Sequence, residues 1–250
     1  MDITTIDQVI ERLSEIILDC ESRSSRMGYF AVLYKQMTQA VKAGIATGQF
    51  EDGARMEQLD VLFAKRYLDA YEQYQQGLPV THCWQTAFYT AKSNNRMVLQ
   101  HLLLGINAHI NLDLSIAAAE TMRGKDIRLL ENDFNTINDI IQSLIKEVED
   151  RLAKIWWPLR LITKVASAEE DAVINFSIRI ARKAAWDNAL GFSAEDGPAQ
   201  QKHQAILDDT VAAIAGKIIH PGFFIGLVLK IVLLMESRNV ADNIRVMLNG

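Results

Sequence analysis

The chain has 250 residues, 49% of them hydrophobic, a formal net charge of −5 and two cysteines, Cys20 and Cys83. That length and composition supply a sizeable core. The acidic balance and scattered Lys and Arg exclude the basic footprint of a nucleic-acid binder or an anionic-membrane binder, and two unpatterned cysteines exclude a disulfide framework.

The N-terminal MDITTIDQVIERLSEI carries neither a basic start nor an uninterrupted apolar run, so no signal peptide is read and the cytoplasm is the expected compartment. Thr5 with Gln8 has the spacing of a capping box. It opens a first helix with the apolar stripe Ile6, Val9, Ile10, Leu13, Ile16 and Ile17. A polar break at Arg23–Gly28 precedes a second helix, with Phe30, Leu33, Tyr34, Met37, Val41 and Ile45 on one side and Gly48 at its end. The third helix is expected from about Asp52 to Gln76, stopped by Gly77 and Pro79. A shorter one around Thr81–Lys92 carries His82, Trp84 and Phe88, and Ser93-Asn94-Asn95 is expected to cap the helix that follows.

That next helix, about 96–122, is the centre of the reading. Met97–Ala119 is apolar nearly all round and holds a single formal charge, Asp113, yet it includes His101, Asn107, His109 and Asn111. A helix of this kind is normally buried, and buried polar groups need partners. Beyond Gly124, the residues Phe134, Ile137, Ile140, Ile141, Leu144, Ile145, Val148 and Leu152 trace another long amphipathic helix. Pro158 breaks the chain after Trp156-Trp157. Ser167 with Glu170 opens a helix expected to close at Gly191, within which Arg182 and Trp186 are spaced for a cation–π pair. Helices over about Ala199–Ile219, Gly222–Glu236 and Asn239–Leu248 complete the chain. The run Phe223–Met235 is 13 residues with Lys230 inside it, short of the roughly 20 a membrane span needs, and reads as a core helix. No period-2 strand pattern, repeat or linker is evident. The fold class is therefore all-α: one domain over residues 1–250, an irregular or orthogonal bundle of about eight to ten helices around the buried central one.

On a regular helix at about 100° per residue, with His101 at zero, His109 falls near ~80° and Asp113 near ~120°, whereas Asn107 and Asn111 fall near ~240° and ~280°. The two polar pairs then lie on nearly opposite faces, and only one can centre a pocket. His109 and Asp113 are the better chemical pair. Their i,i+4 spacing lets both meet one ion or one substrate atom, as co-ligands of a divalent metal or as a general base and its orienting carboxylate. His101 lies about 12 Å along the axis from His109, too far for easy co-ligation. Gly105 between them suits the close approach of another helix or a ligand. On the third helix, Asp60 falls in the apolar arc beside Tyr67. Arg66 points elsewhere, so either a partner on another helix, with His101 or His109 able to serve, meets Asp60, or Asp60 sits solvated at the rim of the stripe. The competing reading makes the His, Asn and Asp side chains interhelical ties. His82, His203 and His220 look peripheral. Glycine-rich phosphate loops, G-x-S-x-G, H-E-x-x-H, C-x-x-C and paired E-x-x-H helices are absent.

The stretch HLLLGINAHINLDL, with FEDGARMEQLDVLFAKRYLDAY, resembles a bacterial family catalogued as a domain of unknown function. The resemblance runs from about Tyr29 to Leu248 and rests on His101, Gly105, Ile106, Asn107, His109, Asn111 and Asp113, with Asp52, Asp60, Phe63, Arg66 and Tyr67. It implies an all-helical fold and a bacterial source, and it brings no activity.

The expected function is hydrolytic or general-base chemistry, metal-assisted or not, with His109, Asp113, His101 and Asp60 as catalytic candidates and Asn107, Asn111, Arg66 and Tyr67 in support. The alternative is a non-catalytic binding or interaction module. A small-molecule ligand and self-association stay open as partners; nucleic acid and membrane are not expected.

Overall fold

Periodic apolar stripes separated by glycine and polar turns dictate helices, and helices are what form. The computed structural model describes residues 3–155, 178–222 and 233–249, with the side chains of 145–149 left aside. No strand occurs among the described residues. In chain order they form α1 (Ile6–Ser22), α2 (Met27–Ala46), α3 (Gly53–Gln75), α4 (His82–Ala91) and α5 (Val98–Ala108), then a π-helical turn (His109–Asp113) and α6 (Leu114–Thr121). A 3₁₀ turn (Ile127–Leu130) leads into α7 (Glu131–Ile155). There follow α8 (178–194), α9 (Gly197–Ile219) and α10 (Val240–Asn249). The expected capping box of α1 is present: the Thr5 side chain accepts from the Gln8 amide and the Gln8 side chain returns to the Thr5 amide.

The central helix is continuous from Val98 to Thr121 through its π turn. It is long and apolar enough to cross a membrane by composition, but 72% of its most apolar stretch is buried inside the protein. Helices α2, α4 and α9 pack along its first half, and α3 packs on α6. One apolar cluster joins α1, α2, α3, α4, α5, α9 and α10. A second gathers around α6, the 3₁₀ turn, α7 and α8, where it meets the ends of α2 and α3.

Carboxylates from distant segments cap helix starts. Asp208 on α9 accepts from the His82 and Cys83 amides at 2.6 and 2.9 Å and so caps α4. Asp133 on α7 accepts from the Glu51 and Asp52 amides and from Arg55, fixing the entry to α3. Ser93-Asn94-Asn95 does not cap the central helix as expected. The Val98 amide instead donates to the Glu236 carboxylate, 138 residues away, at 3.0 and 3.3 Å. Gly191 does not close its helix, which runs on to 194; it lies against His203, whose Cε1 would be 2.9 Å from an added Cβ. Arg182 stacks on Phe134, 4.4 Å from the ring centroid, and Trp186 packs on that same ring rather than on the guanidinium. The Ser167 capping box, the Trp156-Trp157 pair and most of the apolar run Phe223–Met235 lie outside the described residues.

Candidate functional site

The site is built where α2, α3 and α4 meet the π turn. A π turn closes i→i+5 bonds, and here the Leu114 amide donates to the His109 carbonyl. Such turns widen a helix by one residue and recur at functional sites. This one spans His109 through Asp113, so both candidate side chains project from the irregular turn.

Asp113 is 1% exposed and accepts three hydrogen bonds. Arg66 Nε donates to Oδ1 at 3.0 Å. Trp84 Nε1 donates to Oδ2 at 2.8 Å, and His109 Nδ1 lies 3.1 Å from the same oxygen. An ionised carboxylate only accepts, so three convergent donors match it and assign the proton of His109 to Nδ1. The other nitrogen, Nε2, is buried and has no partner. Burial pushes the His109 imidazole below its ordinary pKa, against the pull of Asp113, and keeps it neutral.

Aromatic rings surround this histidine. Phe63 stacks on its face with centroids 3.6 Å apart and planes within 6°. Tyr34 meets it edge-on at 4.4 Å, and Phe30, Tyr67 and Trp84 close the cage at 5.7, 6.1 and 6.1 Å. The i,i+4 pairs Phe30/Tyr34 on α2 and Phe63/Tyr67 on α3 place four of these rings on facing stripes. Phe30 reaches the cage because Gly105 has no side chain: a Cβ there would sit 2.4 Å from the Phe30 ring. The close partner expected at Gly105 is therefore the second helix.

The remaining candidates fall around the cage. Asp60 is buried, and its Oδ2 has no partner. Neither His101 nor His109 bonds to it, contrary to the sequence expectation. Burial, with help from Glu57, raises its pKa to about 8. Asp60 and Asp113 both bear on Tyr34, whose phenol is raised well above its usual range, chiefly by burial. The Tyr34, Thr38 and Tyr67 hydroxyls are buried without hydrogen bonds of good geometry. His101 lies further up the helix, against Tyr29, with its pKa lowered to about 3 by burial and by Arg26. Neither of its ring nitrogens makes a hydrogen bond of good geometry. Asn107 and Asn111 serve another contact: Asn111 donates to Asn107, and Asn107 donates to the Val211 carbonyl of α9 at 2.9 Å. His82 is at the surface beside Asp209, and His203 bonds to Glu195 and Asn188.

The donor set does not suit a divalent metal. Both oxygens of Asp113 are engaged, and the Arg66 guanidinium sits against one of them. That leaves His109 Nε2 as the one free donor of the pair, whereas protein metal sites draw on several ligands. No group of three or more His, Cys, Asp or Glu suited to a metal ion occurs among the described residues.

Residues that sequence reasoning missed are Trp84 as a ligand of Asp113, Phe30, Tyr34 and Phe63 as cage walls, and Glu236 as the cap of the central helix. The facing aromatic pairs were visible in the sequence, but at helical spacing they read only as core.

The model of a family of unknown function, DUF5995, matches residues 6–221. No curated protein and no solved structure matches the chain.

Proposed function

Because the chain belongs to DUF5995, a family of unknown function, membership brings no activity with it, and we propose from the site alone that this protein is a general-base enzyme acting on a small molecule by hydrolytic chemistry at His109. The observation that carries the reading is the asymmetry of that imidazole. Nδ1 is tied to Asp113, itself fixed by Arg66 and Trp84, while Nε2 is buried and unpaired. A carboxylate behind Nδ1 fixes the tautomer and stabilises the imidazolium that forms when Nε2 takes a proton. In this scheme Nε2 accepts a proton from water as the water attacks the substrate, and the Tyr34 hydroxyl donates to the oxygen on which charge develops. The chemistry runs without a metal, in keeping with a donor set that does not suit one. Substrate entry requires the aromatic wall to open, as lids and loops do in many enzymes. The acidic net charge and scattered cations favour a small molecule over nucleic acid or a membrane as partner.

The second reading is a non-catalytic binding or interaction protein whose core is knotted together by these polar residues. The observation favouring it is Phe63, stacked flat on the imidazole.

The test is a screen of ester, lactone, amide and phosphoester substrates with the wild type, His109→Gln and the double variant His109→Leu/Asp113→Leu. The expected result is hydrolysis in one class that falls at least about 100-fold in both variants. A double variant that folds, gains stability and keeps the wild-type activity would sink the general-base reading, and so would a wild type inert toward every class.

A further inference from the structure

Separated from the imidazole of His109 by the rings of Phe30, Tyr67 and Trp84, the core contains a cavity of about 20 Å³, room for one water-sized group. Arg26, His101 and Gly105, with apolar side chains of α2 and α4, complete its wall. The polar groups here share one property: they have hydrogens to give and little to give them to. The His101 ring, 6% exposed, leans on the Arg96 carbonyl, but neither of its nitrogens has a partner of good geometry. In the neutral ring one of these carries a hydrogen. The Tyr67 hydroxyl is fully buried and also unpartnered. Among the described residues Arg26 makes no side-chain hydrogen bond or ion pair, and its charge is felt at the imidazole of His101. The Glu236 carboxylate feels the Arg26 charge but is turned to the Val98 amide at 3.0 Å. Beyond that backbone carbonyl, a guanidinium, an imidazole N–H and a phenol have one imidazole nitrogen and the phenol oxygen as acceptors among them. A guest that only accepts hydrogen bonds and carries negative charge completes this set better than water does.

We propose that the cavity between Arg26 and His101 is a binding site for a compact anionic group, either a free small anion or one carboxylate oxygen of a larger molecule. The three rings that separate it from His109 touch both sites. A carboxylate held by Arg26 would thus extend its remaining atoms along the same aromatic wall. That extension, which would make the cavity the anchoring end of a substrate path, rests on the general-base reading; the anion site itself does not.

The experiment uses the full chain at constant ionic strength and follows binding by the His101 ring resonances and by thermal shift. The probes are sodium bromide, sodium formate and sodium propionate. The expected result is saturable binding that moves the His101 signals and raises Tm. Arg26→Gln, a change at a partly exposed position with the fold checked by circular dichroism, weakens it about tenfold or more. His109→Gln retains binding, which separates this proposal from the fate of the catalytic one. Bromide binding without carboxylate binding assigns the site to a free ion. Formate and propionate binding in competition with bromide assigns it to the carboxylate of a larger ligand. A linear, non-saturating response, or binding that Arg26→Gln leaves unchanged, overturns the proposal. A bromide-soaked crystal with no anomalous peak beside His101 would do the same.

Discussion

Replacing Gly105 by alanine tests how tightly the cage around His109 is built. On helix propensity alone the change should stabilise, since a mid-helix glycine costs about 1 kcal/mol relative to alanine. The structure reverses the sign. The new Cβ would lie 2.4 Å from Cγ and Cδ2 of Phe30 and 2.9 Å from its Cβ. Reaching an ordinary contact of about 3.4 Å requires the Phe30 ring to move by about 1 Å (3.4 − 2.4). That ring cannot swing freely, because it packs on Tyr34, Tyr67, Trp84 and His109 with centroids 5.1 to 5.8 Å away. Overpacking of a core site costs about 1–3 kcal/mol, and a ring held on four sides belongs at the upper end, about 3 kcal/mol. With the propensity gain subtracted, Gly105→Ala is expected to destabilise by about 2 kcal/mol, read as a lower urea midpoint at unchanged slope. In a Phe30→Leu background the same substitution should become neutral or stabilising, a coupling of about 2 kcal/mol in the double-mutant cycle. A stabilising Gly105→Ala in the wild-type background would refute the packing argument.

Asp113→Ala leaves Arg66, Trp84 Nε1 and His109 Nδ1 without their shared acceptor, and urea unfolding should show a loss of about 3 kcal/mol or more. Trp84→Phe removes one donor to that carboxylate and should cost about 1.5–3 kcal/mol, with a changed near-ultraviolet circular dichroism spectrum. Asp60 has its folded pKa raised to about 8, so the folded state holds a proton that the unfolded chain releases above about pH 4. Its contribution is complete below the unfolded value and lost as pH rises through about 8. Asp60→Asn should flatten that fall in stability between about pH 4 and pH 8, measured as urea midpoint against pH. His101, lowered to about 3 in the folded state, acts in the opposite window: stability is present above about pH 6.5 and falls as the unfolded chain takes up protons below it. His101→Leu should remove part of that acid loss. Asn107→Ala breaks the tie from α5 to the Val211 carbonyl and strands Asn111, for an expected cost of about 1–2 kcal/mol by the same assay.

Local rules made much of this architecture legible. Thr5 and Gln8 announce the start of α1 because a capping box is satisfied within four residues. Asp52 likewise caps α3 through the Arg55 amide. The unbroken apolar circumference of Met97–Ala119 required a buried central helix, and the helix is there. The i,i+4 relation of His109 to Asp113 survives the π turn and forms the contact expected of it. What sequence could not supply was the register across helices. Nothing near Val98 indicates that its amide is capped by Glu236, and nothing near Asp113 points to Trp84, 29 residues earlier. The π turn has no signature in a 100° wheel, which assumes the regular geometry that the turn abandons. Asp60 falls in the buried arc as its position suggested, yet finds neither histidine, because Phe63 and Tyr34 occupy the space around His109.

The central claim is that His109 is a neutral, Asp113-anchored imidazole whose Nε2 is free to act as a base. Long-range proton–nitrogen NMR correlation of the histidine rings reads this directly. The account predicts a His109 ring protonated at Nδ1 and unprotonated at Nε2 at neutral pH, resisting protonation below the ordinary histidine range, with the tautomer preference lost in Asp113→Ala. A ring protonated at Nε2, or a doubly protonated ring at neutral pH, would contradict it.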